Sequence, residues 1–112
     1  MNDSKIIHFD DETGEEFEII REPSAGGWLQ GHVDVSYSDL VSAFGQPSYL
    51  SDDGGKVQCE WDLRINGVLV TIYDWKEDRS HLRVRDWHVG GTSPEAARLV
   101  QGVLRASKRS KR

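Results

Sequence analysis

The chain predicts an α+β fold, a twisted antiparallel sheet with two helices packed on it. Three observations carry that expectation: one hairpin with a readable register, further short strand-like runs, and two punctuated amphipathic segments. The hairpin is Val57 to Trp75, VQCEWDLRINGVLVTIYDW, turning at Asn66-Gly67. A two-residue type I′ turn needs positive φ at both central positions, and Asn-Gly supplies it most readily. That turn pairs Ile65 with Val68, Leu63 with Val70, Trp61 with Ile72 and Cys59 with Asp74. This face is almost wholly apolar and is assigned to the core. The opposite face pairs Arg64 with Leu69, Asp62 with Thr71, Glu60 with Tyr73 and Gln58 with Trp75. It is polar but aromatic, which makes it the expected functional surface.

Lys5–Phe9 and Glu16–Ile20 flank the turn-rich stretch Asp10 to Gly14 and predict a first hairpin. Pro23 to Gly27 is a loop, and Trp28–Val35 a third extended segment interrupted by Gly31 and His32. Ser36 to Phe44 predicts a helix. Ser36 is the cap, Tyr37, Leu40, Val41 and Phe44 share one face, and Gly45 with Pro47 ends it. Tyr49 to Lys56 is a polar connection. Lys76 to Ser80 is a charged turn. Leu82–Val89 predicts a strand with Leu82, Val84, Asp86 and His88 on one face and Arg83, Arg85, Trp87 and Val89 on the other. After Gly90-Gly91, Thr92 or Ser93 caps a last helix, with Pro94 in its first turn. Ala96, Leu99, Val100, Val103 and Leu104 form its apolar stripe.

At 112 residues, with 37% hydrophobic and 29% charged residues, the chain fits one soluble domain. It divides into an acidic hairpin (1–22), a core (28–104) and a short basic tail (105–112). No apolar run approaches the roughly 20 residues of a membrane span, and MNDSKIIHFDDE has no secretion signal. The one cysteine, Cys59, lies on the core face and reads as a structural thiol of a reducing cytoplasm.

Charge is distributed unevenly. The five bases from Arg105 to Arg112 have no acid among them, so residues 1–104 carry a formal charge of −10 against −5 for the whole chain. Asp10 to Glu18 holds six acids and no base. Such a body repels nucleic-acid phosphates and suits a basic protein partner. The basic tail reads as a solvated helix end, or as a neutraliser of an acidic patch on this protein or a neighbour.

Phosphate-loop, serine-elbow, zinc-protease and paired-cysteine motifs are all missing from the sequence. His8, His32, His81 and His88 lack metal-ligand spacing. His88 and Asp86 share a strand face but would need a third, distant ligand, so no metal and no cofactor is assigned. Glu60, Asp62 or Asp74 near His88 offers acid–base groups, yet alternating polar residues on a strand usually mean a solvated face. No catalytic residue is assigned.

Three segments together resemble a known group: SYSDLVSAFGQP (36–47), the EW…GVLVTIYDWK hairpin (60–76), and DWHVGG (86–91) followed by SPEAARLV (93–100). They are similar to small proteins of no established activity carried by bacteriophages, prophages and plasmids, with the pattern SYxxLVxxFGxP, TIYxWK and WH[IV]GG. The resemblance spans about residues 31–103 and implies a mobile-element origin. Accessory proteins of that kind often act on host machinery, for example as anti-CRISPR or other anti-defence proteins.

The expected function is therefore non-catalytic inhibition of a host defence protein in the cytoplasm of an infected bacterium, by an acidic surface engaging a basic nucleic-acid-binding site. The expected contacts are Asp10, Asp11, Glu12, Glu15 and Glu16, with Tyr73 and Trp75 as anchors, and with no direct binding of nucleic acid or membrane. An edge strand of the first hairpin would permit homodimerisation. Two alternatives remain. One is a sponge for an immune nucleotide signal, with Trp75 and Trp87 stacking a base and Arg83 and Arg85 holding phosphate. The other is a small hydrolase.

Overall fold

The computed structural model describes residues 5–51, 56–77 and 79–110. Asp52–Gly55 of the expected connection, Asp78 of the charged turn and the last two tail residues lie outside them. The strands are β1 (Ile6–Phe9), β2 (Glu16–Arg21), β3 (Trp28–Asp34), β4 (Tyr49–Leu50), β5 (Cys59–Ile65), β6 (Val68–Tyr73) and β7 (Asp86–Gly91). Helix α1 (Tyr37–Phe44) precedes β4, and α2 (Glu95–Arg109) closes the chain. The fold is α+β. Every described strand joins one antiparallel sheet, ordered β1-β2-β5-β6-β7-β3, with β4 on the free end of β5.

The β5–β6 register is the one the Asn-Gly turn dictates: Ile65 faces Val68, Leu63 Val70, Trp61 Ile72 and Glu60 Tyr73. Asn66 and Gly67 take φ of 50° and 83°, as a type I′ turn demands. The ladder does not continue as paired strands to Gln58 and Trp75. Instead the buried Asp74 carboxylate accepts from the N–H groups of Gln58 (2.8 Å) and Cys59 (3.1 Å) and from Gln58 Nε2 (2.9 Å). Three donors satisfy this interior carboxyl group where backbone pairing stops.

Both helices cover the apolar face. Ser36 Oγ accepts from the Asp39 N–H (3.1 Å) and caps α1, while Gly45 ends it at φ 83°. Ser93 Oγ accepts from the Glu95 N–H at the start of α2 (3.1 Å). Leu40, Ala43 and Phe44 of α1, and Ala96, Leu99, Val100 and Val103 of α2, are buried against Phe17, Ile19, Trp61, Leu63, Ile65, Val70, Ile72 and Val89. Gly102 lets α2 approach the sheet, because a Cβ there would stand 2.5 Å from the Phe17 ring. The Cys59 thiol is buried and pushed up to about 12 by burial and by the Asp74 and Glu60 carboxylates, which leaves it inert at neutral pH.

Two expectations are corrected. The strand expected over Leu82–Val89 begins only at Asp86, because Ser80 caps a 3₁₀ turn over His81–Arg83. Trp87 does face opposite Asp86 and His88, but that face is the core. Its ring is fully buried, packs edge-on against Trp61 at 5.6 Å, and donates its N–H to Val35 O (3.1 Å). Such a contact contributes about 1 kcal/mol beyond area burial.

Arg105 to Arg109 of the basic segment form the end of α2. Asp10 is buried, and it accepts from the Glu12 N–H (3.0 Å), the Thr13 N–H (3.4 Å) and the Arg109 guanidinium. Arg109 also pairs with Glu12 at 3.3 Å, and Lys108 approaches Asp39 at 3.8 Å. The end of α2 is thereby tied to the β1–β2 turn. Burial alone would raise the Asp10 carboxyl. The Glu12 N–H, Arg109 and the Thr13 N–H outweigh it and hold the group below the usual carboxylate range. A depressed acid stabilises the fold above its unfolded pKa and loses that contribution as pH falls through the folded one. Asp10→Asn is therefore expected to lower the melting temperature at pH 7, and the gap to the native chain should narrow on acidification below about pH 4. A thermal melt series by circular dichroism checks this.

Candidate functional site on the uncovered sheet face

With both helices on one side, the other face of β5, β6, β7 and β3 is left to side chains and one loop. Strand alternation sets Glu60 and Asp62 of β5, Thr71 and Tyr73 of β6, and Asp86 and His88 of β7 on that face. Register then lines Glu60, Tyr73, His88 and His32 of β3 into one row across four strands. The Tyr73 and His88 rings lie 5.3 Å apart, and His88 and His32 4.4 Å apart. Trp75, just past β6, stands edge-on to Tyr73 at 6.4 Å and is 41% exposed. Lys56 and Lys76 place their ammonium groups 6.0 and 5.7 Å from its ring centroid.

The loop after β2 folds over one end of this face. Glu22 N–H donates to Asp62 O (3.0 Å) and Ala25 N–H to Asp62 Oδ1 (3.3 Å). Between loop and sheet lies a depression of about 310 Å³ lined by Ser24, Gly27, Glu60, Tyr73, Trp75 and Gly90. Gly90 keeps it open, since a Cβ there would meet Thr71 Oγ1 at 2.8 Å.

Glu60 is the most perturbed group in it. Half-burial, a hydrogen bond with Asp62 and the charge of Asp62 push its carboxyl up to about 7. Glu60 therefore keeps its proton to a higher pH than an ordinary carboxyl. The titratable groups opposite Glu60 on neighbouring strands are Tyr73 on β6 and Tyr49 on β4. Burial and the Glu60 charge raise the Tyr73 phenol. Burial and the neighbouring His32 lower the His88 imidazole, against the opposing pull of Asp86, Glu77 and Asp74.

The site residues expected from sequence fall into separate places. Tyr73 and Trp75 meet on the open face. Asp10 is not available to a partner, because it is buried under Arg109. Glu12 pairs with Arg109 and Glu15 with Arg98 (3.3 Å), while Asp11 and Glu16 are exposed. Arg83 lies on the 3₁₀ turn and Arg85 pairs with Asp34 at 2.9 Å, before β7 begins. Trp87, inside the core, cannot stack a base, so the arginine–tryptophan cluster is not assembled. β1 is an outer strand and leaves Ile7 and Phe9 exposed. Sequence reasoning named Glu60 and Asp62 as acid–base groups but missed the hydrogen bond between them and the place of His32 in the row. The pair was visible as Glu-x-Asp on one strand face. His32 was not, because nothing local says that β3 pairs with β7.

Among the described residues, no helix is long and apolar enough to cross a membrane. No protein-family model, curated protein or solved structure matches this chain.

Glu60 favours its protonated form in the folded chain. Its stabilising contribution is full below the ordinary glutamate value of 4.5 and is lost as pH rises through about 7. Glu60→Gln keeps the neutral shape and removes this loss. The variant should match the native chain near pH 4 and exceed its unfolding free energy by about 1 kcal/mol at pH 8, after allowing for solvent screening of a half-buried group. Urea unfolding at the two pH values measures it.

Proposed function

We propose that this protein is a mobile-element-encoded anti-defence protein that inhibits a host immune effector by non-catalytic binding, and that it makes contact through the uncovered sheet face. The observation that carries the reading is Trp75, an exposed tryptophan beside Tyr73 at the mouth of a depression holding Glu60. Trp and Tyr supply rigid contact area at little entropic cost, and such residues dominate binding energy when a partner covers them. A carboxyl under aromatic walls fits a basic side chain of the partner, by charge-assisted hydrogen bonds and cation–π contact. A guanidinium inserted there would draw the proton off Glu60, so binding would strengthen from pH 6 to pH 8. The resemblance in segments 36–47, 60–76 and 86–100 supplies the genetic context.

The acidic turn is a weaker contact than composition implies. Asp10, Glu12 and Glu15 already answer Arg109 and Arg98 within the chain, which leaves Asp11 and Glu16 for long-range steering. The nucleotide-sponge alternative loses its stacking platform with Trp87. The hydrolase alternative has one observation in its favour: a carboxyl near 7 beside a phenol is suited to acid–base work. It would require Glu60→Gln to abolish the effect on the host.

The test is capture of a host protein from bacterial lysate on the tagged native chain, on Trp75→Ala and on the double variant Asp11→Asn/Glu16→Gln, each at low and high salt. The reading expects one specific host protein, retained at least tenfold less by Trp75→Ala and retained by the double variant at low salt. Undiminished capture by Trp75→Ala would refute it.

A further inference from the structure

The row across the open face ends in a second cluster. His32 on β3 stands directly opposite His88 on β7, with rings 4.4 Å apart at 61°. Asp86 lies two residues before His88 on the same face, and its Oδ1 is 3.0 Å from His32 Nδ1. One donor atom from each of the three side chains falls within 4.8 Å of the other two. We propose that His32, Asp86 and His88 form a binding site for a divalent transition-metal ion of the Zn²⁺ class.

The donor set decides the class. Two imidazoles with one carboxylate suit Zn²⁺, Ni²⁺ or Cu²⁺, whereas Mg²⁺ and Ca²⁺ take oxygen ligands. The backbone places the ligands well. Directly opposed residues on antiparallel strands hold their Cβ atoms about 5 Å apart, and i, i+2 residues on one strand share a face. Metal–ligand bonds of about 2.1 Å require the donors to draw together by side-chain rotation. His32 and Asp86 are exposed, and the half-buried His88 provides the fixed arm.

Arg85, the residue before Asp86, is paired with Asp34 at 2.9 Å. Without metal, the His32–Asp86 hydrogen bond holds the place, and binding takes the imidazoles neutral and releases any proton they carry. The three ligands approach from the sheet side. The outer coordination positions remain open to water or to a donor from a partner. An ion there also ties β3, the outermost strand on its side, to β7.

The test is calorimetric titration of Zn²⁺ into the tag-free full chain at pH 7.5, with Co²⁺ absorption and thermal melts in parallel. The proposal expects one saturable equivalent, a raised melting temperature, and affinity at least tenfold weaker in each of His32→Ala, His88→Ala and Asp86→Asn. His81→Ala, outside the cluster, should bind like the native chain. Mg²⁺ at the same concentration should neither bind nor stabilise. Folding of each variant is checked by circular dichroism, and the exposure of His32 and Asp86 makes those two variants safe controls for His88. Absence of a saturable equivalent, or equal Zn²⁺ affinity in His32→Ala and Asp86→Asn, would overturn the proposal.

Discussion

A slip of one residue in the Asn66–Gly67 hairpin would turn Trp61, Leu63, Ile65, Val70 and Ile72 toward solvent and carry Glu60, Asp62 and Tyr73 into the core. The positive φ that this turn requires therefore decides both halves of the molecule at once. On the buried side, Trp61 donates its ring N–H to Gly45 O at the end of α1 (2.9 Å) and meets Trp87 edge-on. Trp87 in turn binds Val35 O just after β3. Two indoles thus fix the approach of α1 and the outer strand to the hairpin. On the open side, the same register brings Glu60, Tyr73, His88 and His32 into line. The site is a consequence of the packing, one residue out of phase with it.

The charge asymmetry of the sequence is partly resolved inside the chain. Composition sets a basic C-terminal segment against an acidic body, and that invites a partner for each. The structure brings Arg109 onto Asp10 and Glu12, Lys108 toward Asp39, and Arg98 onto Glu15. These pairs reduce the free acidity of the first hairpin and anchor the last helix across it. Most are exposed and contribute little each. The exception is Asp10, which sits buried in its own turn with both carboxylate oxygens hydrogen-bonded.

Local signals made much of the fold legible. The Asn-Gly turn specified a register, Ser36 and Gly45 bounded α1, and the Thr92-to-Pro94 stretch opened α2. The 3₁₀ turn was harder, because Leu82 and Val84 alternate with Arg83 and Arg85 well enough to imitate a strand, while Ser80 redirects the backbone before Asp86. Tyr73 and Trp75 could be placed on one face from period-two alternation. Trp87 could be placed on the face opposite His88, but which face the helices would cover depends on packing that alternation does not encode. Asp10 read as surface acid because its partner lies 99 residues away. His32 joined the site only through β3–β7 pairing, the longest-range feature of the sheet.

The account turns on whether partners meet the open face or the acidic turn. Photo-crosslinking separates the two, with a benzophenone amino acid placed at position 75 in one protein and at position 11 in another, each irradiated in lysate of a bacterial host. The account predicts a discrete covalent adduct with a host protein from position 75 and none of comparable yield from position 11. A strong adduct from position 11 with none from position 75 would contradict it and return the acidic hairpin to the centre of the interface.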